Sequence, residues 1–403
     1  MVAPRTQLAR LLDGVLRRLS RETSSGRFIP EIDGLRFVAI SMVVLYHLNG
    51  HLISKSTSYE HSGRVDWSCL VAMQGLHGVE LFFVISGFIL ALPFAAHYLA
   101  GDQTVSLRKY YLRRLTRLEP PYFAALLLLF VLNAWVHPGS IGNSYGHLIA
   151  TFLYSHNLVY GTPSTVMGVA WSLEIEVQFY LLVPIMTGVF AISNRLVRRG
   201  LLIFFALIAT AARVVTLGHH SRLELSILGY LQFFLIGFLL ADIFVADWKG
   251  LPRRSFLWDA VAVVGWLLLL YGLHWPFFTH WIFPALLFVL YCAALRGRGA
   301  HLFFSNSWIA AIGGMCYSMY LLHYEVISAV SRYTRHLGTS LPDTVYLIMQ
   351  FALTGTAVVG VCGFYFVVIE KPCMKKDWPR HAWHLLRRTF AVRSATPSET
   401  FAD

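Results

Sequence analysis

The sequence is poor in charge. Asp, Glu, Lys and Arg supply 13% of its 403 residues, against 56% hydrophobic, about half the charged share of an ordinary soluble domain. So few charges cannot cover the water-facing surface of a soluble chain, and the apolar residues fall in blocks of about twenty, enough to cross a bilayer. Cysteine is scarce as well. Cys69, Cys292, Cys316, Cys362 and Cys373 show no CxxC spacing, so neither a disulfide framework nor a metal site is expected. No cleavable signal peptide is read in residues 1–30, which carry six arginines and no long apolar core. No transporter-type repeat and no appended soluble domain appear. The formal net charge of +12 sits at the ends of apolar blocks rather than on one soluble face. That distribution excludes a nucleic-acid partner and points to lipid headgroups.

What is present is an all-α polytopic pattern. Ten apolar blocks can be counted, near 36–53, 79–97, 118–136, 171–192, 201–217, 226–246, 258–274, 277–294, 308–330 and 345–369. The seventh and eighth are joined by the His274-Trp275-Pro276 turn, and Pro184 and Pro284 fall inside blocks. With ten spans, 27 of the 33 lysines and arginines lie on one side, which predicts cytoplasmic termini. Three parts follow: a basic N-terminal segment over 1–30, a membrane domain over 31–372 and a basic tail over 373–403. The leucines of the first part recur at helical spacing, as in an amphipathic helix on the inner leaflet, although a plain orienting tail reads equally well. Outside, the loop 137–170 lacks Lys and Arg, and its stretch His147–Tyr160 is too short to span, so a re-entrant or surface-lying segment fits. His51, His61 and His77 in the other outer loop read as solvated.

The first block organises the chemistry. Arg36 and His47 are eleven positions apart; on a helix that places them on one face, about 16 Å apart along the axis. A cation at the inner mouth and an imidazole deep in the bilayer form a track for an elongated anion. Ionisable groups within spans are expensive and invite functional readings. Glu80 and Ser86 enter on the second block, Glu174 and Glu176 on the fourth, and these carboxylates are expected at the depth of His47, where one could steady its imidazolium as it acts as general base. At the inner end, Arg113, Arg114 and Arg117 share helical neighbours. They read as a phosphate clamp with Arg36, beyond the positive-inside anchoring that they also provide. On the ninth block Tyr317, Tyr320, His323 and Glu325 read either as packing or as an acceptor pocket. Asp242 and Glu370, near inner ends, read as anchors.

These stretches together resemble the acyltransferase-3 family of integral membrane acyltransferases. The resemblance is carried by Ile32-Asp33-Gly34-Leu35-Arg36 with His47, by Gly78-Val79-Glu80 to Ser86-Gly87-Phe88, by the basic run ending Arg117-Leu118-Glu119-Pro120, by Trp171-Ser172-Leu173 to Phe179-Tyr180, by Tyr317 to His323, and by Ile369-Glu370-Lys371-Pro372. It implies an acyl-CoA-dependent O-acyltransferase of the bacterial inner membrane. Such an enzyme moves an acyl group, commonly acetyl, from cytoplasmic acyl-CoA to a hydroxyl of a sugar, glycan, glycolipid or macrolide. It also implies Arg36, Arg113, Arg114 and Arg117 on the donor side and His47 with Glu176 at the chemistry, where the depth argument offers Glu80 as the other carboxylate. Ser86, Trp171, Glu174, Tyr317, Tyr320, His323 and Glu325 would then border the acceptor. The sequence departs from the pattern at Glu174, Val177 and Glu325. The esterase-like domain of some relatives is not read here, so a second transfer step would need a partner protein. The alternative from another class is a transporter of a lipid-linked or acylated glycan, with buried carboxylates as a proton relay.

Overall fold

Apolar blocks in a bilayer must satisfy their backbone internally, and helices do so within one segment. The computed structural model describes residues 7–21, 28–55, 67–136, 139, 141–216, 221–272, 275–375 and 378. His61, His274 and nearly all of the 373–403 tail lie outside the described residues. Among those described, the structure is helical, and the one β feature is an isolated bridge between Ser255 and Gly297. In chain order the main helices are α1 (Gln7–Leu19), α2 (Pro30–Lys55), α3 (Gly78–Ala100), α4 (Leu107–Val136), α5 (Ile141–Phe152), α6 (His156–Tyr160), α7 (Ala170–Met186) and α8 (Arg195–Thr216). There follow α9 (Leu231–Ala246), α10 (Phe256–Gly272), α11 (Phe283–Arg296), α12 (Arg298–Phe304), α13 (Ser307–Gly314), α14 (Cys316–Thr334) and α15 (Asp343–Tyr365).

Among the described residues, seven helical segments are long and apolar enough to cross a membrane, and α9 and α10 are shorter apolar helices. Their outward faces are apolar too: Ile203, Phe204, Leu207 and Ile208 on α8 and Leu127, Val131 and Trp135 on α4 are exposed, as lipid-facing residues are. The chain is therefore a multi-pass membrane protein. The ninth apolar block is broken at Met315 between α13 and α14. The reason is local. A Cβ on Gly313 would lie 1.8 Å from the Asp33 carbonyl oxygen, so the chain bends where two poor helix formers let α2 come close. Pro284 sits in the first turn of α11, directly after the π-helical turn Phe278–Ile282, which absorbs its missing donor.

α2 stands between two hydrophobic cores. Ile32, Leu35 and Ala39 face one, built mainly on α3, α9 and α11. Ile40, Val44, Leu48 and Leu52 face the other, built on α4, α14 and α15. Within the first core α3 and α9 touch at backbone distance. A Cβ on Gly87 would meet the Phe234 carbonyl oxygen at 2.3 Å, and one on Gly237 the Phe88 amide nitrogen at 2.4 Å; small residues permit such contact between membrane helices. α1 is a helix, as its leucine spacing predicts, and its last turn is docked onto the protein: Lys371 Nζ donates to the carbonyls of Arg17 and Arg18 at 3.0 and 2.8 Å. A cation there also complements the C-terminal end of the helix dipole.

Candidate active site

Where the two cores part, α2, α3, α4, α7 and α14 line a cavity of about 130 Å³, open at one side. One end is cationic, with Arg21, Arg36, Arg114 and Arg117 in the wall; the other is lined by Val43, Val79, Phe82, Leu173 and Tyr320. On α2 the wall runs from Arg36 to Val43, seven residues on one face, or about 10 Å of rise. His47 is the next residue of that face, one turn beyond the wall. Its ring packs against His323 and Tyr324 at centroid distances of 5.1 and 5.3 Å. Tyr320, three and four residues before that pair, closes the cavity end. Its hydroxyl donates to the Val169 carbonyl and lies 3.1 Å from Ser172 Oγ.

The cationic end is held by acids that the sequence reading had not placed there. Asp33, 1% exposed, bridges Arg36 at 2.6 Å and Arg21 at 3.2 Å. Burial and the adjacent Arg36 guanidinium lower the Arg21 pKa to about 10. Glu370 sits at the end of a π-helical turn, Phe366–Glu370, that aims it at the cavity; it accepts the Ser318 amide at 3.0 Å and the Ser318 hydroxyl. It is buried rather than anchored in headgroups. Tyr317 lines the wall and donates to the Leu118 carbonyl at 3.0 Å. Glu176 is also in the wall and accepts from Ser86 at 2.5 Å. Among the described residues, neither Arg114 nor Arg117 has a carboxylate within ion-pair distance.

The expected ring of carboxylates around His47 does not form. α3 runs antiparallel to α2, with Gly78 packed on Ala39 and Val43. Ser86, eight residues further, therefore lies about 12 Å along, toward the Arg36 end, and Glu176 goes with it. Glu80 is buried elsewhere, 3.4 Å from His77 Nδ1 and 3.8 Å from Arg213. His77, read as a loop histidine, is thus a buried partner. Glu174 accepts the amides of His156 and Asn157 at 3.1 and 2.8 Å, fixing the start of α6. Around it the 137–170 connection folds into two short helices. His147 Nδ1 and His156 Nε2 are 2.8 Å apart, and burial lowers the His156 pKa, consistent with a neutral ring that donates from Nδ1 to the Thr162 carbonyl at 2.9 Å. Arg113 is exposed and, unlike Arg114 and Arg117, is not in the cavity wall. Trp171 packs on Tyr230 at 5.6 Å, and Glu325 is exposed. Asp242, read as an anchor, is fully buried between Arg198 and Arg199.

His323 has a specific polarity. Its Nδ1 faces the carbonyls of Met319 and Tyr320 at 2.9 and 3.0 Å, so it carries the proton there. Nε2 is then a bare acceptor, fully buried, and without a partner. It lies beside His47, where a hydroxyl would satisfy it.

A cation-ended cavity on α2 that points at a histidine pair agrees with a match over nearly the whole chain: a family described as an acyltransferase domain covers residues 29–367. The chain belongs to the acyltransferase-3 family. Among curated relatives, this chain is 32% identical to the peptidoglycan O-acetyltransferase OatA of Listeria monocytogenes over 177 residues, 41% of this chain and 25% of the relative. It is 27% identical to the O-acetyltransferase OatA of Staphylococcus aureus over 390 residues, 89% of this chain and 59% of the relative. A Staphylococcus aureus protein named as a putative O-acetyltransferase is 26% identical over 362 residues, 80% of this chain and 54% of that protein. The chain thus spans less than two thirds of the length of each of these relatives. No solved structure shows a significant match to it.

Proposed function

We propose that this protein is an acyl-CoA-dependent O-acyltransferase of the bacterial plasma membrane, which passes an acetyl group from cytoplasmic acetyl-CoA to a hydroxyl of an envelope glycan. The observation that carries this reading is the placement of four guanidiniums at one end of an apolar-walled cavity that follows the Arg36 face of α2 toward His47. Guanidinium forks bind phosphate oxygens bidentately, which suits the phosphates of CoA. The apolar end suits an uncharged acyl arm. The named relatives are O-acetyltransferases, one of peptidoglycan, which supports a glycan acceptor. The basic-residue count supports ten spans and a cytoplasmic cationic end.

In this reading His47 accepts the proton of the acceptor hydroxyl as its oxygen attacks the thioester carbonyl. The C–S bond breaks, and the proton passes to the departing CoA thiolate. His323, neutral and bare at Nε2, supports the same hydroxyl or the His47 ring where a carboxylate had been expected. Ser86, Glu176 and Tyr317 flank the arm rather than the reacting carbon. Tyr320 separates the cavity end from His47, so its side chain must turn aside for the thioester to reach the imidazole.

The test is reconstituted protein supplied with labelled acetyl-CoA and glycan fragments on the opposite face. Label is expected on the glycan with release of free CoA. His47→Ala is expected to lower turnover by about 10²- to 10⁴-fold with the protein still folded. Turnover retained in that variant removes the histidine mechanism; glycan movement without CoA release favours transport.

A further inference from the structure

Arg21 precedes the stretch that matches the family, residues 29–367, yet its side chain forms part of the cavity wall with Arg36, Arg114 and Arg117. It arrives there because α1 is docked. Lys371 holds the last carbonyls of α1, Leu19 packs into the α4–α14–α15 core, and the aliphatic stem of Arg21 lies against Gly314.

We infer that Arg21 is a further ligand for the anionic donor, brought to the cavity by α1 and held in register with Arg36 by Asp33. The inference rests on the donor reading above. The plain alternative is that Arg21 only neutralises Asp33. Three observations weigh against that. Asp33 already has a close partner in Arg36 at 2.6 Å, whereas Arg21 stands off at 3.2 Å. Arg21 reaches Asp33 through Nε alone, without hydrogen-bond geometry, so the two terminal nitrogens of its fork are not spent on that carboxylate. Finally, four guanidiniums line a wall that contains two carboxylates, Glu176 and Glu370, each already accepting a serine hydroxyl. Adding a fourth cation to such a site is unfavourable unless an anion shares it. With Asp33 counted beside them, four cations face three acids, and a phosphate-bearing anion would take up the positive charge left over.

The bridge through Asp33 has a further meaning. Both arginines bind one carboxylate, so a donor that draws on Arg36 also orders Arg21. The N-terminal helix thereby becomes part of the donor site rather than a membrane anchor alone.

The experiment uses the full chain in lipid nanodiscs, with CoA itself as the probe and calorimetry at low salt as the readout. Arg21→Gln is expected to bind CoA about tenfold more weakly, as for loss of one charge-assisted contact. Arg21→Lys, which keeps the charge but loses the fork, is expected to bind several-fold more weakly than the parent. Arg195→Gln, on an exposed position of α8, is expected to bind as the parent does. If Arg21→Gln lowers the unfolding temperature while CoA affinity stays within about twofold, and Arg36→Gln has lost binding, Arg21 is structural and the inference fails alone. If the parent protein binds no CoA, the donor reading fails and takes the inference with it. Should Arg21→Gln not fold, Arg21→Lys decides, and parental affinity in that variant overturns the inference.

Discussion

Around Asp242, two arginines meet two aspartates: Arg198 and Arg199 on α8 reach Asp242, and Arg199 also holds Asp247 at 2.9 Å. Arg198 spends a further N–H on the Ile192 carbonyl at 2.5 Å. Charges balance and both main partners are buried, so nothing remains for a ligand. Around the cavity the count differs. Arg114 and Arg117 lack a carboxylate within ion-pair distance among the described residues, Arg21 shares Asp33 with Arg36, and Arg117 Nε is buried without a hydrogen bond. The same side chain, in the same protein, serves packing where its charge is matched and recognition where it is left in surplus. Burial does not separate the two; the bookkeeping of partners does.

Three substitutions or conditions break this contrast, in decreasing order of effect. Asp242→Asn leaves Arg198 buried without its anion and is expected to cost about 3–5 kcal/mol of stability, read as a large fall in unfolding temperature in detergent. An unchanged unfolding temperature would remove the structural assignment. Arg117→Gln is expected to do the reverse: the fold stays, while CoA binding weakens about tenfold. A destabilised Arg117→Gln protein with normal CoA affinity would place Arg117 with the Asp242 type. The smallest effect comes from salt. Raising ionic strength from about 0.01 M to about 0.1 M shortens the Debye length from about 30 to about 10 Å. CoA binding at the open-sided cavity is expected to weaken several-fold, whereas the unfolding temperature moves little, because the Asp242 pair is shielded from ions. Equal sensitivity of both would argue that the cavity cluster is not exposed to its ligand's solvent.

Much of the site could be read before any coordinates, and its errors have one cause. The helical arithmetic that joined Arg36 to His47 used both rise and rotation, and α2 follows it: Arg36, Val43 and His47 share a face. Elsewhere depth was used without rotation. Glu174 and Glu176 are two residues apart, about 200° around a helix, so they cannot face one site; one holds the α6 backbone and the other the cavity. Glu80 and Ser86 diverge for the same reason. Arg113 points about 100° from Arg114, and although it is only four residues from Arg117 it is exposed and outside the cavity wall. Depth itself was misjudged on α3, since the contact of Gly78 with Ala39 that sets its register is a long-range fact. Arg21 and Glu370 meet from opposite ends of the chain, and no local pattern could join them. The break at Met315 follows from Gly313 pressed on Asp33, a contact that composition does not record.

The close seating of Gly87 and Gly237 carries a mechanical consequence. With main chains touching, α3 and α9 have no layer of side chains through which to slide, so they behave as a single stiff plate. Ser86 and Phe83 belong to that plate. Any opening that lets a bulky thioester pass Tyr320 must therefore come from the facing panel, where α14 leans on α15 through interlocking side chains and starts at a broken joint.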